Sequence, residues 1–171
     1  DSEGRSCDDL VEVSLHPNML PLHFQIVTIV HFSDTAIEAA KNGVMGGPNM
    51  DLRLDFNGLI DYLVDAKSRL DLEDPDEINP LAEGEVLFKY DGVTLPFVTK
   101  DFFLSYALPS FYFHVTVAYS ILRSMGIHIG VANFLGTVVT TPSRKIPRSV
   151  HQLTGSEYLE LLKPLALPSN P

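Results

Sequence analysis

Between Met19 and about Asn42 there is no strand alternation, and a 3.6-residue stripe runs through Ile26, Ile29, Ser33, Ala36, Ile37 and Ala40. The spacing predicts a helix, opened by Asn18 as N-cap after the break at Pro17, with Pro21 in its first turn. Gly43 and the pair Gly46-Gly47 close it. A second stripe of Leu20, Phe24, Val27 and His31 turns polar at Asp34, Thr35 and Glu38, so this helix has two faces to pack, as a bundle element would. Leu59, Ile60, Leu63, Ala66 and Leu70 predict an amphipathic helix from Phe56 to about Leu70, with Asp55 as N-cap. Ahead of both, the run from Asp8 to Val13 reads as a helix tail or a frayed start.

Residues 71–85 hold seven acids, no base and two prolines, and are expected to form a solvated loop. Two β-prone runs then flank Asp91-Gly92, which predicts a hairpin over Val86 to Val98 with Pro96 confining its second strand to an edge. Lys100 to Gly126 is the longest apolar and aromatic run. Thr99 is expected to cap it, Gly126 to stop it, and Pro109 to kink or restart it at Leu108–Ser110. No element is assigned to Ile127–Thr141, and Ser156 to Lys163 is expected to form a last short helix ending at Pro164.

Composition narrows the classes. A chain of 171 residues, 45% hydrophobic and 20% charged, suits one core-bearing domain. A net charge of −10 with only 12 Lys and Arg argues against nucleic acid and anionic membrane surfaces as partners. The one basic cluster, Arg144, Lys145 and Arg148, reads as a solvated tail. No stretch reaches the roughly 18 apolar residues of a membrane span, and the single cysteine, Cys7, fits a reducing, cytoplasmic setting. The chain starts Asp1-Ser2-Glu3 without a methionine, as a fragment or a processed form would.

The string ALPSFYFHVTVAYSILRSMGIHIGVANFLG, Ala107 to Gly136, closely resembles the signature of an uncharacterised, unknown-function branch of the DinB/YfiT-like superfamily. Leu15 to Leu22 is similar to that family's helix-opening segment, and Phe97 to Phe102 to its strand-to-helix entry. The resemblance spans roughly residues 8–136 and implies a four-helix up-down bundle. The family's long first helix has no counterpart here, so an exposed apolar face and association are expected. The fold class expected is mostly α: a DinB-like antiparallel bundle with a small hairpin before the last long helix, over residues 1–136, followed by a C-terminal extension, 137–171.

By the same resemblance, metal-binding relatives use one histidine on an early helix and two spaced four apart on the last. His31 matches the first role and His114 one of the others, but the neighbours of His114 at four positions are Ser110 and Ala118. A divalent metal site would therefore need His31, His114 and a carboxylate from Asp34 or Glu38. The alternative is a partly exposed His31. His114, sharing a face with Ser110, Phe111, Ala118 and Ile121, is either a core imidazole satisfied by Ser110, Tyr106 or Tyr119, or a general base. His16, His23, His128 and His151 read as surface residues, and Gly43, Gly46 and Gly47 lack the Lys-Ser/Thr of a phosphate loop.

The leading expectation is a bundle that binds a small hydrophobic ligand, or an enzyme on one. His114 and Tyr106 would carry its chemistry, and Ser110, Phe111, Tyr112, Tyr119 and His31 would line its site. The alternatives are a non-catalytic structural or interaction protein, a homodimer through bundle faces, and a DinB-type metal-dependent hydrolase or transferase.

Overall fold

The computed structural model describes residues 6–136, 138–139 and 152–153. The chain divides into two units, 1–125 and 126–171. In the first, helix α1 (Cys7–Val11) starts with a capping box: the Ser6 hydroxyl accepts from the Asp8 N–H, and the Asp9 carboxylate accepts from the Ser6 N–H at 2.9 Å. The Asp8 carboxylate accepts from the Phe56 N–H at 3.0 Å, tying α1 to the start of the second long helix.

The first long helix is three pieces in line: α2 (Leu22–Val30), a π-helical turn (His31–Thr35) and α3 (Ala36–Asn42). It begins at Pro21 rather than at Asn18, whose side chain instead closes a turn with the ring of His16. The π turn was not foreseen. Ser33 lies inside it and donates its hydroxyl to the carbonyls of Ile29, at 2.9 Å, and Val30, at 3.2 Å. A serine bonded back in this way competes with the helix's own ladder and favours a local widening.

Strand β1 (Val44–Met45) follows, then helix α4 (Phe56–Leu70), where the Asp55 side chain accepts from the Gly58 N–H at 2.7 Å as expected of an N-cap. The acidic stretch after it is not a plain loop. Asp74 caps a short helix α5 (Pro75–Ile78), Pro75 occupies its first turn with Asp76 and Glu77 behind it, and a 3₁₀ turn (Asn79–Glu83) continues it. The acids that suggested solvation sit where a helix start favours negative charge and a proline.

Strands β2 (Glu85–Tyr90) and β3 (Val93–Val98) form the expected hairpin. Asp91 and Gly92 both take positive φ, 49° and 76°, as a two-residue turn matched to strand twist requires. The sheet order is β1-β2-β3, with β1 parallel to β2, which leaves β3 and its Pro96 on an edge. Parallel β1 was not legible, since two residues carry no pattern.

The last long helix is also interrupted: α6 (Thr99–Phe102), a second π turn (Phe103–Ala107) and α7 (Leu108–Ser124). Pro109 lies in the first turn of α7. It cannot bond back to the Ser105 carbonyl, and the helix widens just before it. Ser105 donates its hydroxyl to the Asp101 carbonyl, so each π turn contains one back-bonded serine. Thr99 is the first helical residue rather than the cap, and its side chain is buried.

Two apolar clusters hold this unit together. One joins Phe32, Ala36, Met45, Val86, Phe88 and Phe102 between the first π turn and the sheet; the other joins Leu22, Val117, Ala118 and Ile121 between α2 and α7. In the second unit, α8 (Val131–Leu135) opens where the Gly130 N–H donates to the Asn133 side chain at 2.9 Å, and strands β4 (Val138–Val139) and β5 (Gln152–Leu153) pair antiparallel. Arg144, Lys145, Arg148, His151 and the helix expected at Ser156–Lys163 lie outside the described residues. Among the described residues no helix is long and apolar enough to cross a membrane.

Candidate functional site

α2 packs along α7, and this contact sets Gln25 against His114. Gln25 is buried, although it sits in the apolar run Leu22–Val30. Its amide nitrogen donates to the Leu20 carbonyl at 2.8 Å, and its amide oxygen lies 2.7 Å from His114 Nδ1. The histidine's partner is therefore Gln25, on another helix, and not Ser110, Tyr106 or Tyr119 on its own.

Three phenylalanines frame the imidazole. Phe24 meets it edge-on at 6.0 Å, Phe32 stacks nearly parallel at 6.3 Å with 11° between planes, and Phe113 stands perpendicular at 5.1 Å. Burial among these rings disfavours the charged form and lowers the His114 pKa below its ordinary value. Nε2 of His114 is not sealed from solvent, in contrast to that of His23 and His31.

Phe32 connects the rest. Its ring contacts His31 at 5.1 Å and Tyr106 at 5.5 Å, and Tyr106 in turn packs on Phe88 at 4.9 Å and Phe97 at 5.8 Å. Burial raises the Tyr106 pKa, which leaves a neutral phenol in an aromatic cluster. Phe111 packs against this cluster, Ser110 and Tyr119 are half-buried on α7, and Tyr112 is exposed. The structure thus brings His114, Tyr106 and His31 around Phe32, packs Phe111 against the same cluster, and turns Tyr112 outward.

His23, read as a surface residue, and His31, read as a ligand candidate or else a partly exposed helix residue, are both buried. His31 is 7% exposed and His23 is 4% exposed, and in each Nε2 has no hydrogen-bond partner. Desolvation lowers the His31 pKa to about 4 against a smaller opposing effect of the Gly46 backbone. The carboxylates proposed to join His31 are engaged elsewhere: Asp34 holds Arg69 of α4 at 2.7 Å, and Glu38 holds Lys41 at 3.2 Å. Among the described residues no group of three or more His, Cys, Asp or Glu is placed to hold a metal ion. The donor set among the described residues does not fit a three-ligand metal centre of the kind the resemblance implied.

Gln25, Phe24 and Phe32 were missed from sequence. The available signal was Gln25 itself, a lone amide between apolar neighbours on both helix faces, which must find a partner when buried.

Comparison with curated proteins yields no match. Among solved structures, the chain is similar to a DinB family member protein from Shewanella denitrificans, at 19% identity and a TM-score of 0.63, over 80% of this chain and 76% of that one. At that identity the likeness establishes the fold, a DinB-like bundle. Residues 1–135 match the model of DUF1993, a domain of unknown function, and this chain belongs to that family.

Proposed function

We propose that this protein binds a small apolar molecule beside His114 and uses the imidazole as its polar contact, as hydrogen-bond acceptor or general base. The observation that carries the reading is a half-buried, neutral histidine framed by Phe24, Phe32 and Phe113, with one nitrogen on Gln25 and the other open. A histidine serving only the core would have both nitrogens satisfied or sealed; this one keeps a basic atom at an apolar surface. The test is a fragment screen on the full chain, followed through the His114 ring resonances. Compounds that shift them, and whose binding is lost in a folded His114→Ala variant, support the reading. A His114→Ala variant that binds the same compounds equally well overturns it.

A second reading has its own observation. Leu104, Leu108, Tyr112 and Phe113, on one side of the last long helix, are 40% to 69% exposed. Such a face suits association through the bundle, as a homodimer. Sedimentation of the wild type against Leu104→Glu/Leu108→Glu decides it: a dimer that the substitutions dissociate supports the reading, and a wild-type monomer at high concentration removes it.

A further inference from the structure

We infer that Gln25 is a positioning residue that locks His114 in the Nδ1–H tautomer, so that the open Nε2 is a lone pair and the ligand it selects must donate a hydrogen bond. The Leu20 carbonyl can only accept, so the Gln25 atom 2.8 Å from it must be the amide NH₂. The reversed amide would set two acceptors against each other. The remaining amide atom, facing His114 at 2.7 Å, is then the carbonyl oxygen, which also only accepts. His114 Nδ1 must therefore carry the proton, and a neutral ring has one proton to give.

This is the opposite of the Nε2–H form that a free histidine side chain prefers in water, so the protein imposes it. Gln25 holds its side in place well: it is 3% exposed and bonded at both ends of its amide. Burial keeps the ring neutral at pH 7, so an anion gains no ion pair here. What remains is a single acceptor among phenylalanine faces, which matches an apolar molecule with one O–H or N–H. The ligand half of this inference rests on the reading of His114 as a binding site; the tautomer half does not.

Long-range ¹H–¹⁵N correlation spectra of the full chain at pH 7 test the tautomer. The expected result is the shift of a protonated nitrogen on Nδ1 and of a lone-pair nitrogen on Nε2. Gln25→Leu should move the ring toward Nε2–H, whereas Gln25→Glu, which keeps an acceptor, should retain Nδ1–H and raise the His114 pKa. A lone-pair shift on Nδ1 of the wild type overturns the inference, and that measurement stands even if Gln25→Leu fails to fold. An unchanged tautomer in a folded Gln25→Leu also overturns it.

Phenol and anisole, in which a methyl group replaces the donor proton and the ether oxygen remains, test the ligand half. Phenol should shift His114 Nε2 and bind about five-fold more tightly than anisole, the worth of one neutral hydrogen bond. Equal binding of the two overturns the donor requirement. If neither reaches His114 while Nδ1 is protonated, the binding-site reading fails and the tautomer lock survives.

Discussion

Phe32 and Tyr106 meet edge to face, ring centroids 5.5 Å apart and planes at 85°, and each comes from a π-helical turn of a different long helix. π turns of this kind recur where a helix must aim side chains that a regular register would send elsewhere. Here the contact joins His31, His114 and the aromatic layer over the sheet through one ring.

Phe32 is accordingly the side chain whose removal should cost most near the site. It is buried in the cluster with Ala36, Met45, Phe88 and Phe102. Phe32→Ala should destabilise by about 3–5 kcal/mol, and Phe32→Leu by much less. Urea midpoints at constant slope measure both, and a loss under about 1 kcal/mol for the alanine variant would refute this placement.

His31 makes stability pH-dependent. Its folded pKa of about 4 lies below the ordinary 6.5, so below 6.5 the unfolded chain binds a proton that the folded chain refuses. The contribution is full above 6.5 and is lost as pH falls from 6.5 to about 4. Between pH 7 and pH 5 the loss is about 2 kcal/mol. His31→Leu should flatten most of that drop, leaving the smaller part from His114, which is shifted in the same sense. An unchanged pH profile in the variant would show that His31 is not the titrating group.

Thr99 buries a hydroxyl without a partner at the start of α6. An apolar group of the same shape removes a desolvation cost of about 1–3 kcal/mol and gives up no bond. Thr99→Val is therefore expected to be neutral or stabilising, read as an equal or higher Tm. A clear decrease would mean that the hydroxyl has a partner after all.

Gly47 lies under the ring of Tyr90. A Cβ there would fall 2.0 Å from Tyr90 Cδ2 and 2.4 Å from Cε2. Gly47→Ala should cost about 1–3 kcal/mol through displacement of the ring, and the cost should largely vanish in a Tyr90→Ala background. Equal penalties in both backgrounds would assign the effect to the backbone instead.

The helices and the hairpin were legible because their signals are local: the stripe of Leu59, Leu63, Ala66 and Leu70, the Asp91-Gly92 turn, and Pro109 marking where α7 restarts. The two π turns were not, because the serine back-bonding inside them is no distinguishing signal: Ser68 in α4 and Ser120 in α7 make the same bond within regular helix. The same gap explains the histidines. A wheel drawn with 3.6 residues per turn cannot say that His23 and His31 are inside, nor that Gln25, 89 positions before His114, meets it. His114 could be singled out as a lone imidazole in an aromatic run, but its partner depends on how α2 lies along α7.

Each π turn carries one residue more than the ladder around it needs, so the chain could be shortened there by one and remain helical. Deleting Ser33 would leave Gln25 facing His114, because Gln25 lies on α2 before the cut and α2 is held against α7 by its own packing. The part of this helix beyond the cut, α3, would be wound back by about 100°, carrying Gly43 and Val44 out of reach of their partner Leu87. The surplus residue is thus a phase offset between two halves of one helix: one half is indexed to α7 and the histidine, the other to the sheet. A circular dichroism spectrum would barely register its loss, while amide exchange at Leu87, whose N–H donates to the Gly43 carbonyl at 2.9 Å, should become fast.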